Sequence, residues 1–230
     1  MTISTSAVNT NAVDGGVGTD TLVLVDAAVN TTAAQNTIDL SDATNNTLSN
    51  TGSLTGLTGF ENLDASGLTG TNAVKFVGDS GDNVLDGGDG NDVLQGGGGA
   101  DTLTGGAGAD TLTGGAGADI ISGGAGDDIL NGGAGADTIT GGAGADTIDV
   151  GSGDSAVDIV TVGATDSVVS TTVTSSVATL DNGLDEISNF LLGSSSDSLN
   201  LVGTPTVLAD GNPSVTSGAN FDDNDSAVTD

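Results

Sequence analysis

GGDGNDVLQ-GGGGADTLT-GGAGADTLT-GGAGADIIS-GGAGDDILN-GGAGADTIT-GGAGADTID, from Gly87 to Asp149, is one nine-residue phrase written seven times without a slip. Read from its glycines the phrase is G-G-x-G-x-D-x-U-x, with U aliphatic. The sixth position holds Asp92, Asp101, Asp110, Asp119, Asp128, Asp137 and Asp146, and the eighth holds Leu94, Leu103, Leu112, Ile121, Leu130, Ile139 and Ile148. One such unit cannot bury its apolar side chain alone, whereas stacked copies can, so the period points to a solenoid. Strand alternation sends only the middle residue of x-U-x inward, which predicts a six-residue turn, G-G-x-G-x-D, followed by a three-residue strand. Two units then make one coil of eighteen residues, and coils stack in parallel about 4.8 Å apart. Leu94, Leu112, Leu130 and Ile148 would line one wall, and Leu85, Leu103, Ile121 and Ile139 the other.

Outward from the array the phrase decays. GDSGDNVLD, Gly78 to Asp86, keeps the phase but has Asp79 for the second glycine and Asn83 for the sixth-position acid. VGSGDSAVDIV, Val150 to Val160, keeps the glycine rhythm and delays its acid to Asp158, as an exit repeat with an insertion would. Terminal repeats of solenoids are commonly atypical. A complete but isolated copy, GGVGTDTLV, runs from Gly15 to Val23, and a site at its Asp20 needs a stacked partner turn from the following segment. Between that copy and the array, NTIDLSD and LTGFENLDASG read as short strands between Asn and Gly turns, either further solenoid or a capping β-segment. The expected organisation is therefore a β-rich segment over 1–76, the array over 77–160, a β-branched C-terminal segment over 161–202 and an acidic tail over 203–230. The fold class is all-β: an elongated parallel β-roll, a right-handed β-solenoid, with β-rich flanks.

Composition narrows the function. Thirty-two acids against the single base Lys75 give a net charge of −31, which argues against nucleic acid and anionic membranes as partners and for cations. No run approaches the roughly 18 apolar residues of a membrane span. The absence of Cys and His removes disulfides, thiolate chemistry and zinc sites of the usual kind. It also removes most catalysis: GDSGD around Ser80 has no histidine base to serve it, and no G-x-S-x-G elbow occurs, so the chain is read as a non-enzyme.

Stacking draws Asp92, Asp110, Asp128 and Asp146 into one column and Asp101, Asp119 and Asp137 into another. At about 5 Å and an effective dielectric of about 20, each adjacent pair of bare carboxylates costs on the order of 3 kcal/mol, which a thin core of one aliphatic per unit does not offset. Calcium reverses that sign, because it accepts six to eight oxygens with tolerant geometry and glycine-rich backbone lets carbonyls converge on it. Magnesium demands a tighter octahedron and zinc prefers nitrogen or sulfur. Several calcium ions are the expected cofactor.

GGAGADTLT and its neighbours resemble the RTX, or hemolysin-type calcium-binding, repeats of secreted bacterial proteins. The resemblance implies that the sixth-position aspartates give side-chain oxygens to ions shared between stacked turns. It further implies that first- and fourth-position glycines contribute carbonyls: Gly87 and Gly90, Gly96 and Gly99, Gly105 and Gly108, Gly114 and Gly117, Gly123 and Gly126, Gly132 and Gly135, Gly141 and Gly144. Asn83, Asp20 and Asp158 join the candidate ligands from the flanking phrases. Export through a type I channel, folding outside the cell and an S-layer-like role at the bacterial surface are what the family suggests. The chain is then expected to be a calcium-dependent structural subunit that forms a homo-oligomer or polymer. Alternatives are a calcium-stiffened stalk of a larger adhesin, toxin or enzyme and, less favoured, an ice-binding surface. The outward rows Val84, Thr102, Ile120, Thr138 and Val93, Thr111, Ile129, Thr147 interrupt threonine with aliphatics, which disfavours ice.

Overall fold

The structure is a computed structural model that describes residues 14–24, 36–42, 57–151 and 156–161 in full. It also gives the backbone of short strands outside them, the outermost being Thr2–Ser4 and Ser198–Leu201. The expected tail over 203–230 lies outside the described residues, as do the side chains of Ile187, Phe190, Leu191, Leu199 and Leu201.

Every described element is a strand, and the strands form two facing sheets of nine and eleven members and a third of two. Partners in the array are offset by eighteen residues and run parallel, as in Val84↔Thr102 and Thr111↔Ile129. On one wall the inward column runs Leu22, Leu63, Leu85, Leu103, Ile121, Ile139, Val160. On the other it runs Ile38, Phe76, Leu94, Leu112, Leu130, Ile148. All of these side chains are buried and form one continuous core. The chain is a parallel β-roll, and its two walls are those the eighth-position periodicity predicted.

Residues before the array continue the same sheets. Thr21–Val25 pairs with Asn62–Gly67, which pairs with Val84–Asp89. Among the described strands only the larger sheet changes direction at its ends, through the antiparallel pairings of Asn36–Asp39 with Asn46–Leu48 and of Glu186–Ser188 with Val177–Thr179.

One expectation is corrected. All but the last of the array's strands are six residues long, not three: Thr111–Ala116 takes in T-L-T and the G-G-A of the next repeat, and only Thr147–Asp149 keeps three. The ladder passes from Asp86↔Thr104 to Gly88↔Gly106 and Asp89↔Ala107, with the first-position glycine as the break between. The fourth-position N–H then donates to the third-position carbonyl one coil on, as from Gly90 to Ala107 at 2.7 Å. Only the fourth to sixth residues are left to turn the corner. Glycine is required at the second and fourth positions: Gly106 and Gly108 have φ of 112° and 138°, and a side chain on either would collide with the carbonyl one coil back.

Candidate metal centre

Each corner of the roll ends in a sixth-position carboxylate, and the parallel stacking turns these into two hydrogen-bonded columns. Asp92 Oδ1 accepts from the Val74 N–H at 2.7 Å, Asp110 Oδ1 from Asp92 at 2.7 Å, Asp128 Oδ1 from Asp110 at 2.8 Å and Asp146 Oδ1 from Asp128 at 2.9 Å. On the opposite edge Asp101 Oδ1 accepts from the Asn83 N–H at 2.8 Å, Asp119 from Asp101 at 2.8 Å, Asp137 from Asp119 at 2.9 Å and Asp158 from Asp137 at 2.9 Å. Asp158 thus stands where an eighth repeat would put its acid. The residue spacing of 21 in place of 18 absorbs the insertion read from VGSGDSAVDIV.

The second carboxylate oxygen has a different fate. Oδ2 of Asp92, Asp101, Asp110, Asp119 and Asp128 is buried and receives no hydrogen bond, and Asp137 and Asp146 are as deeply buried. A buried carboxylate oxygen left in this state is costly. Its surroundings show what is missing. A β-carbon built on Gly105 would fall on Asp110 Oδ2 and on the Gly123 carbonyl oxygen of the next coil. The same pair, one orphaned carboxylate oxygen and one first-position carbonyl, flanks Gly87, Gly96, Gly114 and Gly123. At Gly132 the carbonyl comes from Val150, and at Gly141 only Asp146 crowds the position. The first-position carbonyls of Gly105, Gly114, Gly123, Gly132 and Gly141 therefore stand beside the acids. The fourth-position carbonyl oxygens of Gly90, Gly99, Gly108, Gly117 and Gly126 lie where a β-carbon on the fourth glycine one coil on would fall, at Gly108, Gly117, Gly126, Gly135 and Gly144.

Electrostatics single out these groups, though for a reason other than the one expected. Burial pushes the Asp92 carboxyl up to about 8 and that of Asp128 up to about 7; the hydrogen bond to Oδ1 pulls each back, and neighbouring acids push again. Asp101 is raised to about 6 by the same balance, and burial also raises Asp110 and Asp119. Desolvation leads in every case, whereas the sequence reading put mutual repulsion first. The physical reason is the tight corner: each acid is 1% exposed, so losing water costs more than meeting a neighbour whose Oδ1 is already tied to an N–H.

Among the described residues no three acidic side chains gather around one point. The donor set of every cradle but the last, at Gly141, is one carboxylate oxygen and one backbone carbonyl, all hard oxygen. That set fits calcium, which supplies the positive charge the orphaned oxygens lack.

The sequence model of the RTX calcium-binding nonapeptide repeat matches the chain in four overlapping copies, over residues 77–112, 95–130, 104–139 and 122–156. Residues 77–156 are RTX calcium-binding repeats. No curated protein and no solved structure matches the chain.

At its leading end the RTX array meets residues the sequence reading weighed differently. Asp20 does have a stacked partner turn: its N–H donates to Glu61 Oε2 at 2.8 Å, in the column of Asn83 and Asp101. Glu61 itself was missed. Its signal is Gly59-x-Glu61-x-Leu63, the G-x-D-x-U spacing with a longer acid, hidden because Leu57 replaces the second glycine. The other column stops at apolar Val74, whose N–H is the last to reach a repeat carboxylate. A further ladder runs along the outside, where Asp82, Asn91 and Asp127 accept from the N–H groups of Ala100, Ala109 and Ala145 at 2.8, 3.0 and 2.9 Å. Asn83 makes bonds unlike those of any aspartate in its column. Its Oδ1 accepts from the Asp79 N–H at 2.9 Å, and its Nδ2 donates to the Glu61 carbonyl at 2.7 Å.

Proposed function

We propose that this chain is a secreted structural protein of the bacterial surface that orders its RTX array on binding calcium outside the cell and then associates with further copies, as an S-layer, matrix or filament subunit. The array is a calcium-binding structural module of a kind typical of secreted proteins. One observation carries the reading: buried carboxylate oxygens without partners recur coil after coil, each beside a backbone carbonyl. Protein built at this cost around a cation is reporting the cation, and calcium is abundant outside cells. A non-catalytic role is supported by the inventory: the chain holds no His and no Cys, and Ser80 is an exposed turn residue. Among the described residues no helix is long and apolar enough to cross a membrane.

Association has its own support. The seventh-position residues Val84, Ile120, Ile129 and Ile159 stand exposed on the outer faces of the sheets, 40–56% accessible, in a chain that is otherwise strongly acidic. A second reading, a stiff stalk within a larger adhesin or toxin, is favoured by the sheets running on past the array at both ends. Circular dichroism with light scattering, as calcium rises from zero to about 10 mM at constant ionic strength, tells them apart. Gain of β-signal with growth in particle size is the expected result. Gain without growth selects the stalk, and full β-signal in chelator contradicts both.

A further inference from the structure

The first corner of the array on the Asp101 edge is built from the same parts as those below it, with one atom changed. A β-carbon on Gly78 would fall on the Gly96 carbonyl oxygen and on Asn83 Oδ1, just as one on Gly96 would fall on the Gly114 carbonyl and on Asp101 Oδ2. Asn83 is as buried as the aspartates, at 1% exposure. Yet its cradle oxygen carries no formal charge and already accepts the Asp79 N–H, whereas Asp101 Oδ2 accepts nothing.

The other half of the amide explains the substitution. Asp101 faces an N–H on the preceding coil, that of Asn83, and a carboxylate oxygen suits it. Asn83 faces a carbonyl, that of Glu61, because the Glu61 N–H is turned to the Asp20 carbonyl at 3.2 Å. A carboxylate there would set oxygen against oxygen; an amide NH2 donates. The neighbouring strands hold the junction in register, with Val84 N–H donating to Asn62 Oδ1 at 2.9 Å.

We propose that Asn83 is the latch that ends the calcium column and fastens the RTX array to the segment before it: its side chain spends both polar atoms on protein, so the Gly78 cradle holds no calcium. On the other edge Val74 ends the column by having no polar side chain at all. The two terminators lie in consecutive half-coils, so calcium binding stops at one level of the roll and the coils above it are joined by protein contacts alone. This inference rests on the calcium reading of the array.

Its test is the number of calcium ions bound per full-length chain at saturation, by equilibrium dialysis, together with amide exchange at residues 61–63 and 83–85 in the same calcium. Asn83→Ala is expected to leave the ion count unchanged and to speed exchange at the junction about tenfold, the loss of one to two buried hydrogen bonds. Asn83→Asp is expected to raise the count by one, since it restores the acid that every cradle below possesses. Loss of one ion in Asn83→Ala would show that Asn83 is a ligand and overturn the proposal. Unchanged exchange at the junction would overturn it too. Should Asn83→Asp fail to fold, the alanine variant decides alone. A wild-type chain that binds no calcium would instead remove the reading beneath it, an outcome separate from either.

Discussion

The coil at residues 57–77 and the coils of the array share one backbone plan and are held together by different forces. Between Leu57 and Val77 seven apolar side chains are buried, Leu57, Phe60, Leu63, Ala65, Leu68, Val74 and Phe76. The eighteen residues from Val84 to Asp101 bury two, Leu85 and Leu94, and place two buried aspartates, Asp92 and Asp101, at the corners. The first coil is an ordinary hydrophobic layer. The second has too little apolar area to offset the ordering of its backbone and adds the desolvation of carboxylates. What the difference teaches is that a parallel roll can be closed by side chains or by cations, and that this chain switches between the two at Asn83 and Val74.

The largest effect should come from removing the cation. In chelator, hydrogen exchange across 87–149 is expected to approach unprotected rates while amides of 62–77 stay protected; equal loss in both regions would erase the distinction. Next, replacing Asp110 and Asp128 together by Asn removes two charges from one column and should raise the calcium midpoint of the β-signal at least about tenfold, a charged oxygen bond being worth about 1.5–3 kcal/mol. Gly105→Ala sharpens the site itself. Its β-carbon would occupy the space between Asp110 Oδ2 and the Gly123 carbonyl, with no strain at φ, so one bound ion fewer per chain is expected by equilibrium dialysis.

The pH dependence follows from the raised carboxyls. Metal-free coils hold protons that the unfolded chain would release, so this contribution is fully present below the unfolded pKa of about 4 and is lost as pH rises through the values near 6, 7 and 8 of Asp101, Asp128 and Asp92. In chelator the β-signal of the array should therefore grow as the solution is acidified from about pH 8 to about pH 5. Calcium competes with the same protons, so its midpoint should move to higher concentration over that interval. The smallest effect belongs to Ile120→Thr. That side chain is 56% exposed on the outer sheet face, and its loss should shift folding by no more than about 0.5 kcal/mol, as read from the calcium midpoint of the β-signal.

Much of this was legible in the residues. Position eight gave both walls of the roll, and position six both acid columns, because a strict period leaves stacking no freedom of register. Asp158 was readable as the delayed acid of an exit repeat. The extent of the strands was not, since Gly-Gly-Ala carries no strand propensity and its pairing is imposed by the coil next to it. Nor was the dominance of burial over repulsion, which depends on how closely the corner wraps each carboxylate. Glu61 escaped notice because a repeat that keeps the spacing while exchanging Asp for Glu and Gly for Leu no longer looks like its neighbours. The amide of Asn83 could be seen as a departure, but which way it faced depended on a carbonyl 22 residues away in sequence.

The central claim is that filling the cradles and ordering the coils are a single event. Bound calcium and the amide protection of residues 87–149 should be followed through one titration of the wild-type chain, starting from chelator. The account predicts that the two curves coincide at every calcium concentration, with little protection before the first ion binds. Protection already complete in chelator, or completed by sodium or magnesium alone, would contradict it.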